Sequence, residues 1–593
     1  MKKLIDLSNL DLIDSIKEKI VYYLSYSKEE DKQKIRKAID DNDLNLLKKW
    51  FSSNLEFGTG GLREIMDIGT SYLNEVTISK AAYATLDFFC KEYDREFYNK
   101  NDISKKSICI SYDTRKNSDI FAKISALIAV KKGFHVYITK DPMPTPFLSF
   151  LVRETKSFCG IMITASHNPK NYNGFKVYDK TGCQILSDMA NKIIEIYNSS
   201  IEMEKIDLLD FEILINKKKI EYVKDSFIDD FIGRICTVKY NKNLENNKKL
   251  LNVVYSSLHG TGINIFKKLE EKIGFNTFYV ESQIEMNNDF PNVKSLNPEN
   301  LESFEQALKI AKENNSDLIV ITDPDADRVR FAFLDENRYF IPTGNELAVM
   351  LFYYICSQIR LSEIDSSIKK EINEDYFSVT TVVTTDLLEI IGRYFGVEVF
   401  KTLTGFKYIG QVINKNENKK FLFAAEESCG YLVTGILRDK DAFSMIVLIL
   451  EFLSYLKSQK IHAKNYLKKI YEQFGYYLND LVNIDFSEKK DKDIIDKIMI
   501  YLRENPLEAF CNFKIRKIFD FENNIESFPK SNLLQYIGEN FKVTVRPSGT
   551  EPKLKIYFQV VSHNEIQSKE ILETFKNFFI NLIKTECLNH VGS

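Results

Sequence analysis

The amino-terminal stretch DLIDSIKEKIVYYLSY sets apolar residues at helical spacing among acids and lysines. The pattern continues to about residue 55 and predicts a helical extension packed on the body of the protein. Asp6, Asp11 and Asp14 interrupt the apolar positions, so the start reads as amphipathic helix rather than signal peptide. A second pattern then recurs. SICISYDTRKNSDIFAKISALIAVKKGFHVYIT is an apolar run, a polar loop, a helical period, a glycine and another apolar run. LLNVVYSSLHGTGINIFKKLEEKIGFNTFYV and FSVTTVVTTDLLEIIGRYFGVEVFKTLTG repeat it. Each reads as strand, helix and strand, with Gly133, Gly274 or Gly396 closing the helix in a left-handed cap. Such units imply right-handed crossovers in largely parallel sheets, hence three α/β domains of similar topology.

Beyond residue 460 the pattern changes. Residues 461–540 are rich in lysine and asparagine and show no clear period. VTVRPSGTEPKLKIYFQVV then reads as strand, loop and strand, and SKEILETFKNFFINLIK as a closing helix. This predicts a distinct α+β domain. The divisions that follow are a helical extension over 1–55, α/β domains over 56–210, 211–337 and 338–460, and an α+β domain over 461–593. The apolar run SMIVLIL ends at Glu451 and is too short to span a bilayer.

Composition narrows the function. A chain of 593 residues is too long for one core, and 44% hydrophobic with 28% charged residues is ordinary for a globular protein. The net charge of −3 offers no global basic field for nucleic acid, so any anion site must be local. The nine cysteines are scattered and form no CxxC pair, which argues against a disulfide framework or a zinc site and fits a reducing compartment.

In sheets of this kind chemistry gathers at loops beyond the strand ends, and five loops stand out. In GIMITASHNPKNYNGFK an apolar strand ends at Thr164, Ala165 and Ser166. Pro169 stops the loop from turning straight into a helix, and Lys176 follows an expected Asn-Gly turn. No GxSxG elbow is present, and taken alone this serine reads as a plain loop residue. In DLIVITDPDADRVRFAFLD, Asp323, Asp325 and Asp327 alternate between apolar strands. Three carboxylates so close repel one another unless a cation lies between them. An EF-hand is excluded, because Arg328 takes the glycine position and Leu334 the glutamate position. A hard divalent ion such as Mg²⁺ suits the set. RPSGTEPKLK places Arg546, Ser548, Gly549 and Thr550 in a tight loop that reads either as an anion cradle or as a plain hairpin. FAAEESCGYL brings Glu426, Glu427 and Ser428 after an apolar run, either to accept hydrogen bonds from the hydroxyls of a polar ligand or to form a rim ion pair. FGTGGLR, ending at Arg63, is a further candidate cradle, and SYDTRKNS adds Arg115 as a basic loop at a strand end.

The order of these loops is more specific than any one of them. FGTGGLR, TASHNPKNYNGFK, DPDADR, LTGFKYIG, EES and RPSGTEPK in succession resemble the α-D-phosphohexomutase superfamily, most of all its long phosphoglucomutase/phosphopentomutase branch. The resemblance implies three similar α/β domains with mixed, largely parallel sheets and a distinct α+β carboxy-terminal domain around a central cleft. It implies that Ser166 is phosphorylated and passes its phosphoryl group to a sugar monophosphate, through glucose 1,6-bisphosphate as intermediate and activator. Lys176, His167 and Arg63 then belong to the catalytic group. Asp323, Asp325 and Asp327 would hold Mg²⁺, with the serine phosphate as a further ligand. Arg328, Thr404, Gly405, Glu426, Ser428 and Lys440 would contact the substrate, and Arg546, Ser548, Gly549 and Thr550 the phosphate that is not being transferred.

The implied protein is a cytoplasmic isomerase, a monomer or weak homodimer, acting on a small phosphosugar without nucleic acid or membrane. Glucose phosphates lead. Mannose and pentose phosphates, and synthesis of the bisphosphate itself, stand as alternatives within the superfamily. A non-catalytic sugar-phosphate-binding protein is the alternative of another class. Many relatives have glycine before the EES glutamate, whereas this chain has Ala425, which leaves the preferred sugar open.

Overall fold

The computed structural model describes residues 7–55, 57–58, 61–97, 106–199, 201–365, 375–486, 492–523, 525, 528–549 and 553–587. The chain divides into two compact units. The first comprises residues 1–238, 248–331 and 434–447; the second comprises 239–247, 332–433 and 448–593. Four domains are built on mixed sheets in the first three and an antiparallel sheet in the last.

In the first unit the predicted extension forms the helices Asp14–Tyr26, Glu29–Asp40 and Leu44–Phe51. The Asp43 side chain caps the third by accepting from Leu46 N at 3.0 Å. Their apolar faces carry Ile16, Ile20, Tyr23, Leu47, Trp50 and Phe51 into the same core as Ile108, Ile110 and Ile161 of the adjacent sheet. Burying a side chain the size of Phe51 contributes about 1.5–3 kcal/mol. The extension is therefore part of the first domain's core.

That domain's sheet runs, among the described residues, in the order Phe57–Gly58, Gly61–Ile65, Tyr172–Asp179, Cys159–Ile163, Ser107–Tyr112, His135–Ile138, Ile220–Tyr222. The last four strands are parallel, and Tyr172–Asp179 and the two before it are antiparallel. Asn173 and Gly174 lie inside the Tyr172–Asp179 strand, so the expected Asn-Gly turn is absent there. Gly174 serves a close approach instead. A Cβ on it would fall 2.3 Å from Thr164 O and 2.7 Å from Leu62 O. The second domain's parallel strands are Leu318–Thr322, Asn252–Ser256 and Asn276–Tyr279. The three glycines predicted to close helices, Gly133, Gly274 and Gly396, have φ of 83°, 88° and 77°.

In the second unit, Tyr376–Thr381 pairs in parallel with Glu398–Thr402 and Lys420–Ala425, and Tyr431–Leu432 closes the sheet antiparallel. The last sheet runs in the order Tyr476–Asp485, Lys553–Ser562, Phe541–Pro547, Leu534–Ile537, Lys517–Asp520, antiparallel throughout. Helix Glu565–Asn581 covers it with Phe575 and Phe579. This sheet is tied to the third domain by an apolar cluster of Val382, Val383, Leu403, Phe521, Leu533 and Tyr557. Asp386 adds an ionic tie, accepting from Lys401, Lys542 and Gln559 at 2.7 Å each. Among the described residues no single helix is long and apolar enough to cross a membrane.

Candidate active site

Strand Cys159–Ile163 is buried along its whole length, and the chain leaves it through Thr164 and Ala165 into the Ser166 turn. Ser166 has φ 53°, a left-handed conformation that costs a non-glycine residue of order 1–3 kcal/mol. Its N–H donates to Thr164 Oγ1 at 2.8 Å, and its carbonyl accepts from Arg115 Nη2 at 2.7 Å. The conformation aims the hydroxyl, which donates to Asp323 Oδ2 at 2.9 Å. His167 Nδ1 lies 3.3 Å from the same oxygen. Arg63, in strand Gly61–Ile65 opposite Gly174, donates to Asn168 Oδ1 at 3.4 Å.

Asp323, Asp325 and Asp327 are buried in the loop between strands Leu318–Thr322 and Val329–Asp335, and each offers an oxygen within 4.8 Å of the others. Thr145 anchors the middle one. Its N–H donates to Asp325 O at 2.9 Å and its hydroxyl to Asp325 Oδ2 at 2.7 Å. Lys176 Nζ stands 2.8 Å from Asp325 Oδ2 and 3.3 Å from Asp327 Oδ2. Lys440 Nζ stands 2.8 Å from Asp327 Oδ2 and 3.4 Å from Asp439 Oδ1, and Tyr178 Oη donates to Asp439 Oδ2 at 2.7 Å. Arg328 pairs with Glu299 at 2.9 Å.

These neighbours split the three acids. Burial, with the charges of Asp325 and Asp327, holds Asp323 well above the usual carboxylate range. Burial also opposes charge on the other two. The Lys176 ammonium outweighs it at Asp325, and Lys440 with Lys176 and Arg328 outweighs it at Asp327, so both lie below the usual range. Oδ1 of Asp325 and of Asp327 remain buried without a hydrogen-bond partner. Buried carboxylate oxygens are seldom left so, and a set of hard oxygen donors with two such atoms fits a hard divalent cation.

The other predicted residues lie in the second unit. Glu426, at the end of strand Lys420–Ala425, accepts the Gly405 N–H on Oε1 at 2.9 Å and donates its own N–H to Gly430 O at 2.8 Å. Glu426 thus ties the Thr404–Gly405 turn to the EES loop, with Ser428 partly exposed beside it. Ala425 is fully buried in its strand, with Thr380 and Tyr431 as register partners. Arg546 donates from Nη2 to Tyr557 Oη at 3.0 Å and from Nη1 to Pro547 O at 3.3 Å, with its guanidinium 5.7 Å from the Tyr557 ring centre. The Ser548 N–H donates to Lys553 O at 2.8 Å, and Gly549 is exposed. Thr550 lies outside the described residues.

Glu427 adds a pH dependence. Burial pushes its carboxyl from 4.5 up to about 7, helped by the charge of Glu426, and its Oε2 is buried without a hydrogen-bond partner. Between those two values the folded chain keeps a proton that the unfolded chain has released. This contribution to stability therefore falls as pH rises through the window and is gone above it. Glu427→Gln is expected to melt at a higher temperature than wild type above about pH 7 and to lose the slope below it. Melting curves across the window check this, and parallel profiles for the two proteins would remove Glu427 as the source.

Sequence reasoning did not mark Thr145, Tyr178 or Asp439, and it gave Lys440 and Arg115 other surroundings. Thr145 carries no mark in DPMPTPF beyond its neighbouring prolines. Tyr178 and Asp439 reach the acidic cluster by way of Lys440. Lys440 itself, grouped with the sugar contacts, stands on the acidic cluster. Arg115, read as a basic strand-end loop, has its guanidinium fully buried against backbone carbonyls.

The comparisons with known proteins agree with this arrangement. Four segments match the phosphoglucomutase/phosphomannomutase family in order: its alpha/beta/alpha domains I, II and III over residues 54–204, 225–337 and 343–474, and its C-terminal domain over 481–570. A phosphoglucomutase of Staphylococcus saprophyticus subsp. saprophyticus is 32% identical over 551 residues, which is 90% of this chain and 95% of that protein. One of Staphylococcus aureus strain MSSA476 is 34% identical over 536 residues, 87% of this chain and 91% of its own. Among solved structures, Paramecium pp63/parafusin, a phosphoglucomutase in an open form, shares the fold with a TM-score of 0.62 at 18% identity, covering 89% of this chain and 95% of that one. A phosphoglucomutase/phosphomannomutase family protein of Burkholderia thailandensis does so with a TM-score of 0.63 at 16% identity, covering 89% and 98%. Domain by domain and along nearly its whole length, the chain belongs to the phosphoglucomutase/phosphomannomutase family.

Proposed function

We propose that the chain is a phosphoglucomutase interconverting glucose 1-phosphate and glucose 6-phosphate. The observation that carries this is the Ser166 hydroxyl, held on Asp323 at 2.9 Å beside two buried carboxylate oxygens that lack partners. Staphylococcal relatives named phosphoglucomutase, at 32% and 34% identity, support glucose as the sugar.

In the forward direction the bond between phosphorus and Ser166 Oγ breaks as one to the sugar O6 forms, and the O6 proton passes by way of Lys176 to the departing Oγ. The bisphosphate reorients. The bond between its C1 oxygen and phosphorus then breaks as one to Ser166 Oγ forms, the Oγ proton passes to O1, and glucose 6-phosphate is left. Asp323, Asp325 and Asp327, with an oxygen of phospho-Ser166, would hold Mg²⁺, which when bound offsets charge on the phosphoryl oxygens. Lys176 is the assigned general acid/base, kept beside the reacting groups by Asp325 and Asp327. His167 and Arg63 support the serine turn. Glu426 and Ser428 receive sugar hydroxyls while Thr404 and Gly405 follow the sugar's orientation. Arg546, Ser548, Gly549 and Thr550 anchor the phosphate at rest.

The same reading carries a cytoplasmic monomer or weak homodimer acting on free phosphosugars, without nucleic acid or membrane. We keep divisions at 56, 211, 338 and 461, although strand Ile220–Tyr222, past 211, pairs into the first domain's sheet and strand Arg338–Phe340, at 338, into the second domain's. Turnover of glucose, mannose and ribose 1-phosphates by the purified protein tests the reading. Preference for mannose or ribose phosphate would reassign the substrate, and no turnover of any would favour the binding protein.

Glu426 and Arg546 are expected to fail differently. One oxygen of Glu426 already holds Gly405, which leaves the other for a sugar hydroxyl. Glu426→Gln replaces that acceptor by a donor or releases the turn, and a loss of about ten- to a hundredfold in kcat/KM for glucose 1-phosphate is expected. Arg546→Ala should weaken all phosphosugars alike. Measuring kcat/KM for hexose and pentose 1-phosphates in both variants checks this. The assignment falls if Arg546→Ala reorders the sugars while Glu426→Gln changes nothing.

A further inference from the structure

We propose that Arg115, covered by Phe290, is the positioning residue that sets the angle at which Ser166 presents its oxygen to the acidic cluster. The inference rests on Ser166 as the phosphoryl carrier. The Arg115 side chain is fully buried, and its fork is spent on one turn. Nη2 donates to Ser166 O at 2.7 Å and Asn168 O at 2.5 Å. Nη1 donates to Pro169 O at 2.8 Å and Tyr172 O at 3.0 Å. Nε lies 3.2 Å from Asp113 Oδ2. Asp113 is itself fixed, accepting from the Arg115 N–H at 2.9 Å and from Ser118 Oγ at 2.8 Å on its other oxygen.

Four carbonyls between residues 166 and 172 thus converge on one planar cation. No anion can reach it, so it does not bind phosphate. Its effect is on the backbone. By holding the Ser166 carbonyl it keeps the residue left-handed, and that conformation directs Oγ to Asp323. A lysine could not replace it, because a point charge with three donors cannot serve four carbonyls in a plane.

One face of the guanidinium is covered from the domain that carries the acidic loop. The buried Phe290 ring centre lies 5.5 Å from the Arg115 guanidinium carbon. Phe290 has φ 47°, and its loop is clipped by His259, whose ring nitrogens each lie 2.6 Å from a carbonyl, those of Glu285 and Pro291. The serine turn meets the acidic loop at the Ser166–Asp323 hydrogen bond, and Arg115, which holds that turn, meets the domain of the acidic loop again at Phe290.

The test uses the full chain with Arg115→Lys, Arg115→Ala and Phe290→Leu. Misplacing a reacting atom by about 1 Å costs about a hundredfold in rate. Arg115→Lys is therefore expected to lower kcat for glucose 1-phosphate by about that factor, with KM moved less than about threefold, and Phe290→Leu to lower it by about tenfold. Added ethylguanidinium should restore part of the kcat lost in Arg115→Ala, which a general loss of stability would not show. Wild-type kcat in a folded Arg115→Lys, or a rise in KM alone, overturns the proposal. If Arg115→Lys does not fold, unchanged kcat in Phe290→Leu overturns it. Wild-type protein that never carries phosphate on Ser166 overturns the functional reading instead.

Discussion

Ser166→Ala is expected to leave a folded protein that does not convert glucose 1-phosphate to glucose 6-phosphate. The substitution removes one oxygen, with its hydrogen bond to Asp323 Oδ2 at 2.9 Å and its longer contact with His167 Nδ1 at 3.3 Å. The backbone contacts of the residue, its N–H to Thr164 and its carbonyl from Arg115, do not involve the side chain and persist. The loss of stability should stay near 1–3 kcal/mol, the cost of leaving one buried acceptor unmatched. Removing a nucleophile costs on the order of 10⁶ in kcat. A coupled assay of glucose 6-phosphate and mass spectrometry of the Ser166 peptide measure the two sides of this. Near-normal turnover in the alanine variant, or phosphate found elsewhere in the active wild type, would end the covalent mechanism.

Asp325→Asn is expected to weaken Mg²⁺ binding and to lower kcat by about 10³-fold, since the group that offsets transition-state charge would be poorly held. Its effect on folding reverses the expectation from sequence. Three clustered carboxylates alone predict that neutralising one relieves repulsion. The structure puts Lys176 on Asp325 and Asp327, and Lys440 on Asp327, so the cluster is already offset. Asparagine at 325 would strip Lys176 of its shorter ion pair and should lower the melting temperature. Titration of Mg²⁺ against intrinsic fluorescence or melting temperature, in wild type and variant, reads the binding without any turnover. Identical titrations would place the metal elsewhere.

What could be read from the sequence divides along a physical line. TASHNP and DPDADR were legible because their chemistry needs particular side chains at fixed spacing next to apolar strands. The repeated strand–helix–strand units were legible because both periods are local. The strand Tyr476–Asp485 was not, since nearly every residue of YYLNDLVNID is half-buried and no alternation of apolar and polar positions results. Asn173-Gly174 misled in the opposite way. A dipeptide that usually marks a turn is here a strand segment, with the small residue demanded by Thr164 and Leu62 across the sheet. Thr145, and what Arg115 binds, were out of reach for a third reason. Their partners lie 180 residues away for Thr145 and 51 to 57 for Arg115, and only the fold brings them together.

Residues 434–447 belong to the first unit although the second surrounds them in sequence, and this orders events during synthesis. When Phe331 leaves the ribosome, all three aspartates and Lys176 are present, but Lys440 is not. It follows Asp327 by 113 residues, roughly 5–25 s at ordinary elongation rates. For that interval the nascent acidic loop holds more negative charge than the finished one. No single cut in the gene can yield the first unit entire, because a chain ended at residue 331 lacks the second ammonium. A fragment that is to carry the whole first unit must therefore run through residue 447, and so must include most of the third domain.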